Sequence, residues 1–148
     1  MSTAMTQQEK EAFLADVHVG ILSIPQEGRA PLTVPVWYGY EAGGEIWFVT
    51  GRGSHKGQLL ALGLSVSLCV QDEQPLYKYV IVEGTVFAVI PSEVERDVRL
   101  LAHRYFGRER GDQFIATTGG AEAREENILV RIRPRRWLVV DYAKELQI

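Results

Sequence analysis

Runs of β-branched and aromatic residues recur along the chain, separated by short segments rich in Gly, Pro, Asp and Glu. Such runs are typical of β-strands, and the intervening segments are typical of turns. The strands predicted in this way are residues 19–24, 31–40, 45–50, 65–70, 77–90, 127–133 and 136–142. The last two are predicted to pair around Pro134, and Glu83-Gly84 predicts a bulge or bend in the longest strand.

Apolar residues at three- and four-residue spacings predict helices in the remaining segments. The first helix, residues 6–16, begins with Thr-Gln-Gln-Glu, which is typical of a helix cap. Another helix begins at Ser92, which forms a capping-box pattern with Glu95, and ends at Gly107. The other predictions are a helix over residues 55–63, a short helix over residues 108–117 and a connection over residues 118–126.

Most links between the predicted strands have hairpin length, which favours an antiparallel sheet curled into a small barrel. The chain is therefore predicted to be a mainly β (α+β) protein with one domain over residues 1–148. The glycines at 51 and 53 do not continue into a dinucleotide-binding fingerprint, because Lys56 stands where the third glycine would be. No Walker A sequence is present either.

Composition and charge exclude several classes of function. With a formal charge of −3 and a pI near 5.6, the chain is not expected to bind nucleic acid. The chain has three histidines and one cysteine, and no Cys or carboxylate stands at ligand spacing from a histidine, so we expect no metal site. A single cysteine without a disulfide partner fits a reducing cytoplasm. The N-terminus has no targeting pattern and no 18-residue apolar run occurs, so we expect a cytoplasmic protein without membrane contact.

The strongest candidate site is the stretch from Glu45 to Leu62, which predicts a strand, a glycine-rich turn and a helix N-terminus. The first N–H groups of a helix lack internal partners and carry partial positive charge, so Ser54 and Lys56 at this end could hold a phosphate. The alternative is that Ser54 only caps the helix and Lys56 points into water.

Other motifs allow both a structural and a functional interpretation. The aromatic clusters Trp37-Tyr38, Trp47-Phe48 and Tyr77–Tyr79 fit a core or the mouth of a cleft. The basic run 131–136 fits an exposed face or a groove for an anionic ligand tail. No hydrolase motif is present, so any chemistry is expected to belong to a bound cofactor.

An ordered set of segments resembles the split-barrel proteins related to pyridoxamine 5′-phosphate oxidase, in particular the flavin and deazaflavin oxidoreductases. The segments are Pro35-Val-Trp-Tyr38, Ile46-Trp-Phe-Val-Thr50, Ser54-x-Lys56 with Leu59-Leu60, Val66-Ser-Leu-Cys-Val70, Tyr79-Val-Ile-Val-Glu-Gly-Thr85, Arg136-Trp137 and Val140-Asp-Tyr142. The resemblance implies a six-stranded antiparallel split β-barrel with flanking helices. It also implies a homodimer with two cofactor sites between the subunits.

The resemblance also implies roles for individual residues. The cofactor phosphate would be contacted by Thr50, Ser54 and Lys56, and the ring would lie along Val36, Trp37 and Tyr38. Tyr77 and Tyr79 from the partner subunit, with Arg136, would close the site. The poly-γ-glutamate tail of a deazaflavin cofactor is anionic, so a basic groove that continues from Lys56 toward Arg52 or the 131–136 run would favour the deazaflavin over FMN.

Compact members of this family use the deazaflavin coenzyme F420, so the first hypothesis is an F420-dependent reductase of an unsaturated small molecule. The hydride chemistry would belong to the cofactor, and Tyr38 or a bound water would donate the proton. The second hypothesis is the same fold with FMN, acting as an oxidase or flavin reductase. The third is a non-catalytic module that binds a flavin or haem.

Overall fold

The protein is described by a computed structural model, which covers residues 3–118 and 126–146. Six strands form one antiparallel sheet in the order β2-β1-β4-β5-β6-β3. The strands are β1 Gly20–Ile24, β2 Leu32–Val36, β3 Ile46–Gly51, β4 Ser65–Asp72, β5 Lys78–Pro91 and β6 Asn127–Asp141. The predicted antiparallel fold is confirmed, with every predicted strand region contributing to the sheet.

The helices flank this sheet. They are α1 Gln7–Ala15, α2 His55–Leu59, α3 Arg99–Phe106, α4 Arg108–Thr118 and α5 Tyr142–Glu145, and a π-helical turn, Val94–Val98, leads into α3. The cap predicted for α1 is confirmed, because the Thr6 hydroxyl accepts from Glu9 N–H and the Glu9 carboxylate accepts from Thr6 N–H. Gly107, at φ 84°, ends α3 as predicted. None of the helices in the described ranges has the length and apolar character needed to cross a membrane.

The two longest strands, β5 and β6, pair along nearly their whole length. The predicted strand pair around Pro134 is wrong, because β6 runs through this proline without a break. A register shift there sets Gly84 opposite Pro134 and leaves Arg135 without a partner in β5. A bulge tolerates proline, which has no N–H to donate to the ladder. The bulge predicted at Glu83-Gly84 is confirmed, and a Cβ on Gly84 would crowd the Arg133 carbonyl oxygen at 2.8 Å.

The sheet closes on itself at one narrow point. The predicted strand 31–40 is shorter than expected, but Gly39 beyond it still pairs with Trp47 of β3 through two backbone hydrogen bonds of 2.8 and 3.0 Å. This bridge connects the segment after β2, at one edge of the sheet, with β3 at the other edge. The enclosed core consists mainly of aliphatic side chains from the inner faces of the strands, with Phe13 and Leu14 of α1 closing one side.

The segment that leads into α3 begins differently from the prediction. Ser92 and Glu95 do not form a capping box. The buried Asp97 carboxylate instead accepts from the Ser92 hydroxyl at 3.2 Å and the Glu93 N–H at 3.0 Å. Arg96 donates to both oxygens of Asp97 at 2.8 Å. Burial alone would raise the pKa of Asp97, but the hydrogen bonds from Arg96, Glu93 and Ser92 hold it below its usual value.

We expect Asp97→Asn to lower the free energy of unfolding by about 1–3 kcal/mol at neutral pH, because the amide keeps the shape but loses hydrogen bonds made to a charge. The folded-state pKa is depressed, so the charge stabilises the fold above the unfolded-state pKa and this contribution disappears as pH falls through the folded-state value. Urea unfolding at several pH values should therefore show the difference between Asp97→Asn and the unmodified protein shrinking below pH ~4. A pH-independent difference would contradict the assigned role of the charge.

Candidate cofactor site

The turn between β3 and α2 is held by a small hydrogen-bond network. Ser54 is the N-cap of α2, and its hydroxyl accepts from Gly57 N–H at 3.0 Å and donates to the Gly51 carbonyl at 2.7 Å. The Thr50 hydroxyl lies 3.1 Å from the Ser54 hydroxyl, which then makes three hydrogen bonds and has no further capacity. The side chains of Thr50 and Ser54 therefore shape the turn, and Ser54 caps α2. Their contact with a cofactor phosphate stays a prediction.

Gly57 allows α2 to approach the end of β3 closely. A Cβ at this position would overlap the Gly51 carbonyl oxygen and would also lie 3.0 Å from the Arg52 carbonyl oxygen and the Ser54 hydroxyl. Only glycine fits without a shift of the backbone. The short helix is thereby fixed against the strand, and Lys56 projects from a defined position.

A cleft of about 300 Å³ opens beside Lys56. One wall comes from β2 and β3, and the other comes from the helices after β5. The lining residues are Pro35, Val36, Trp37, Val49, Lys56, Val98, Leu101, Ala102, Phe114 and Asn127. Lys56 is the one charged residue among them, and the described part of the chain provides it with neither a hydrogen bond nor an ion pair. The cleft therefore offers apolar walls and one available cation.

Trp37 connects the two walls of the cleft. Its ring stacks on Tyr105 of α3 with a centroid distance of 4.7 Å and an interplanar angle of 9°. The Tyr105 hydroxyl donates to the His18 carbonyl at 2.6 Å and accepts from Tyr38 N–H at 3.0 Å. Arg104 adds hydrogen bonds to the carbonyls of Ala15 and Asp16 at the end of α1. These contacts fix α3 against the barrel and set the orientation of the Trp37 ring.

Tyr38 is not in the cleft, which corrects its predicted contact with a cofactor ring and its predicted role as proton donor. Its side chain points into the core, where it is fully buried, and its hydroxyl donates to the Leu14 carbonyl at 2.6 Å. Burial raises the pKa of Tyr38 well above its ordinary value. Trp37 lines the cleft, whereas the side chain of its neighbour Tyr38 is enclosed in the core and does not reach it.

The remaining predicted site residues lie apart from this cleft within one chain. Arg52 does not line the cleft, and its Nε pairs with the Glu126 carboxylate at 3.3 Å. Tyr77 and Tyr79 lie at the opposite end of β5, stacked on each other with centroids 6.3 Å apart. Arg136 is exposed on the outer face of the sheet opposite Glu83. Within the described residues of one chain, neither Arg52 nor the 131–136 run lines the cleft beside Lys56.

Several residues of the cleft were missed by sequence reasoning. Val98, Leu101, Ala102 and Phe114 reach it from the helices, and Asn127 begins β6. The periodicity of the helices indicated a buried face without showing which surface it would cover. Across the described ranges, no group of three or more His, Cys, Asp or Glu side chains could hold a metal ion.

Comparison with known proteins supports the same architecture. Residues 6–144 match the family described as pyridoxamine 5′-phosphate oxidase. A comparison with curated proteins gives no match.

Solved structures with a similar fold include proteins of several descriptions. A conserved hypothetical protein from Mycobacterium tuberculosis has a TM-score of 0.78 and 22% identity, over 99% of this chain and 91% of that chain. An F420 reductase has a TM-score of 0.66 and 18% identity, with 86% and 94% covered. An FAD-binding protein from Mycobacterium smegmatis has a TM-score of 0.59 and 16% identity, with 91% and 95% covered. The chain therefore belongs to the pyridoxamine 5′-phosphate oxidase family and has its split-barrel fold, as the sequence resemblance predicted.

Proposed function

We propose that the protein is a homodimeric oxidoreductase that binds deazaflavin F420 in the Lys56 cleft and reduces an unsaturated small molecule. The single observation that carries the proposal is the combination of apolar cleft walls with Lys56, a cation in the first turn of α2 that no described residue pairs. A planar apolar ring with an anionic phosphate matches both features. The F420 reductase and the FAD-binding protein among the structural neighbours support a cofactor of this general kind.

The dimensions of the cleft suit part of such a cofactor. Ligand pockets usually span about 300–1,000 Å³, so a volume near 300 Å³ accommodates the ring system and leaves the tail outside. Val36 and Trp37 would lie along one side of the ring, and Lys56 would pair with the phosphate. The N–H groups at the start of α2 add partial positive charge beside Lys56.

When bound, the reduced deazaflavin supplies a hydride, and saturation of a C=C bond also takes up one proton. The protein orients the reactants through Trp37, whose ring is held by Tyr105, and excludes water with Leu101 and Phe114. The described lining contains no Asp, Glu, His, Cys or Tyr side chain. We therefore assign the proton to one bound water, and not to bulk solvent, because Tyr38 is buried in the core.

The second subunit would pack on the outer face of the sheet. An apolar row crosses five strands there through register partners, and it consists of Pro35, Ile21, Cys69, Ile81 and Leu138. Ile21 and Leu138 are 37% and 49% exposed, and burial raises the pKa of the Cys69 thiol, which stays neutral. An uncharged row is self-complementary, as a two-fold contact requires. Pro35 belongs to both the row and the cleft, so a second copy on this row would adjoin the cofactor site.

We expect Lys56→Ala to weaken binding of the preferred cofactor by about 1.5–3 kcal/mol, or roughly 10- to 150-fold, because a hydrogen bond to a charged phosphate is lost. Fluorescence titrations of the cofactor-free protein with F420 and with FMN measure this loss. Lys10→Ala is the matched control, since it removes the same charge from α1, outside the cleft. Equal affinities for the two variants would remove Lys56 from the site.

The same titrations separate the proposal from its alternatives. Preferential binding of F420, with reduction of unsaturated acceptors, supports the deazaflavin reductase. Preferential binding of FMN would replace it with the flavin oxidase or reductase. Tight binding without turnover with any hydride donor would instead indicate a non-catalytic cofactor-binding module.

Ser54→Ala tests whether the Ser54 hydroxyl serves as the cap of α2 or as a contact of the cofactor phosphate. Loss of the cap is expected to lower the free energy of unfolding by about 1 kcal/mol, because Gly57 N–H loses its acceptor. Cofactor affinity should fall much less than in Lys56→Ala, since the Ser54 hydroxyl is already used by the turn. Thermal unfolding together with the cofactor titration checks both quantities. A loss of affinity as large as that of Lys56→Ala, with unchanged stability, would return Ser54 to the phosphate site.

Leu138→Glu should convert the dimer to a monomer, because it places a charge in the apolar row on each side of the two-fold contact. Sedimentation velocity measures the oligomeric state. Leu62→Glu is the control, because Leu62 is even more exposed, at 69%, and lies in the turn after α2, outside the row. Dimers of both variants with equal stability would exclude this face, and a monomeric unmodified protein would exclude the homodimer.

A further inference from the structure

A second depression adjoins the cofactor cleft and shares Phe114 with it. This depression, called here the α4 groove, has a volume of about 510 Å³. It is lined by Phe106, Arg110, Gln113, Phe114, Thr117 and Thr118. Since the neighbouring cleft has room for little more than a ring system, a reaction partner of the cofactor needs an adjoining space of this kind.

Aromatic rings form a continuous surface from the cleft into the α4 groove. The ring of Trp37 contacts Phe106 edge to face with centroids 5.2 Å apart, and Phe106 contacts Phe114 in the same way at 5.3 Å. Trp37 and Phe106 are nevertheless 36% and 39% exposed. Exposed rings fixed by their neighbours provide a preformed surface for another planar apolar molecule.

A cation lies next to this aromatic surface. Arg110 and Phe114 are four residues apart on α4, so their side chains are neighbours on one helix face, with Cβ atoms about 5–6 Å apart. Within the described residues, Arg110 has no ion pair. The nearby Asp112 carboxylate is already used by Arg99 at 2.7 Å and by His103 at 2.6 Å. The α4 groove therefore combines an aromatic floor with a cation that none of the described residues pairs.

We propose that the α4 groove binds the hydride acceptor, and that this acceptor is a planar conjugated molecule with a carboxylate about 5–6 Å from its ring, which matches the spacing of Arg110 and Phe114. The ring and the conjugated double bond lie along Phe106 and Phe114, next to the cleft. The carboxylate pairs with Arg110, and Gln113 and Thr117 supply polar contacts at the rim. The inference rests on the proposed function for the role of the ligand as acceptor, although the binding site stands on its own geometry.

The test uses trans-cinnamate and its neutral analogue cinnamamide as probes, because they share a ring and a conjugated double bond and differ in charge. Each is titrated into the isotope-labelled full chain and followed through backbone amide signals in two-dimensional NMR spectra. We expect shifts at Trp37, Phe106 and Phe114, and about threefold to fivefold tighter binding of cinnamate, the scale of an exposed ion pair. Arg110→Gln should abolish this preference and leave the affinity for cinnamamide unchanged. Arg108→Gln, which removes an exposed charge outside the α4 groove, should keep the preference.

Shifts confined to other surfaces, or a preference for cinnamate that persists in Arg110→Gln, would overturn the proposal. The cofactor titrations distinguish this failure from failure of the proposed function. Cofactor binding at Lys56 without cinnamate binding in the α4 groove refutes only the acceptor site. Arg110-dependent cinnamate binding without binding of F420 or FMN would keep the site and refute the reductase.

Discussion

The pairing of β6 with both β5 and β3 is the constraint on which the rest of the structure depends. One 15-residue strand crosses the sheet and bends at Pro134, where a bulge removes the need for a backbone donor. Its first residue, Asn127, lies opposite Gly51, at the end of β3. The turn that carries Ser54 and Lys56 begins at that point, so the closing strand also determines where the cleft can form.

The helices after β5 turn this end of the barrel into a binding site. Asp97 fixes the start of the helical segment, and Tyr105 fixes its end through a ring stack and hydrogen bonds to the backbone of His18 and Tyr38. The polar atoms of these contacts are satisfied within the protein. The residues of α3 and α4 that line the cleft are apolar, namely Leu101, Ala102 and Phe114, and Lys56 is the cation in the same lining.

Local sequence patterns predicted much of the fold because turns, caps and bulges depend on nearby residues. The Glu83-Gly84 bulge and the caps at Thr6 and Ser54 are of this kind. The continuity of β6 was not predictable from Pro134 alone, because it depends on Gly84, which lies 50 positions away in the sequence. For the same reason, only one side of the cleft was predictable from the sequence. The stretch around Lys56 has a local signal, whereas its helical wall is defined by long-range contacts such as Trp37 with Tyr105.

The central claim is that a ring-and-phosphate cofactor occupies the Lys56 cleft. A crystal structure of the protein grown with the cofactor that it binds more tightly tests this claim most directly. We predict the phosphate within hydrogen-bond distance of Lys56 Nζ, the ring against Val36 and Trp37, and Tyr38 still buried against Leu14. A cofactor bound elsewhere, for example against Tyr77 and Tyr142 of the same chain with the Lys56 cleft empty, would contradict it.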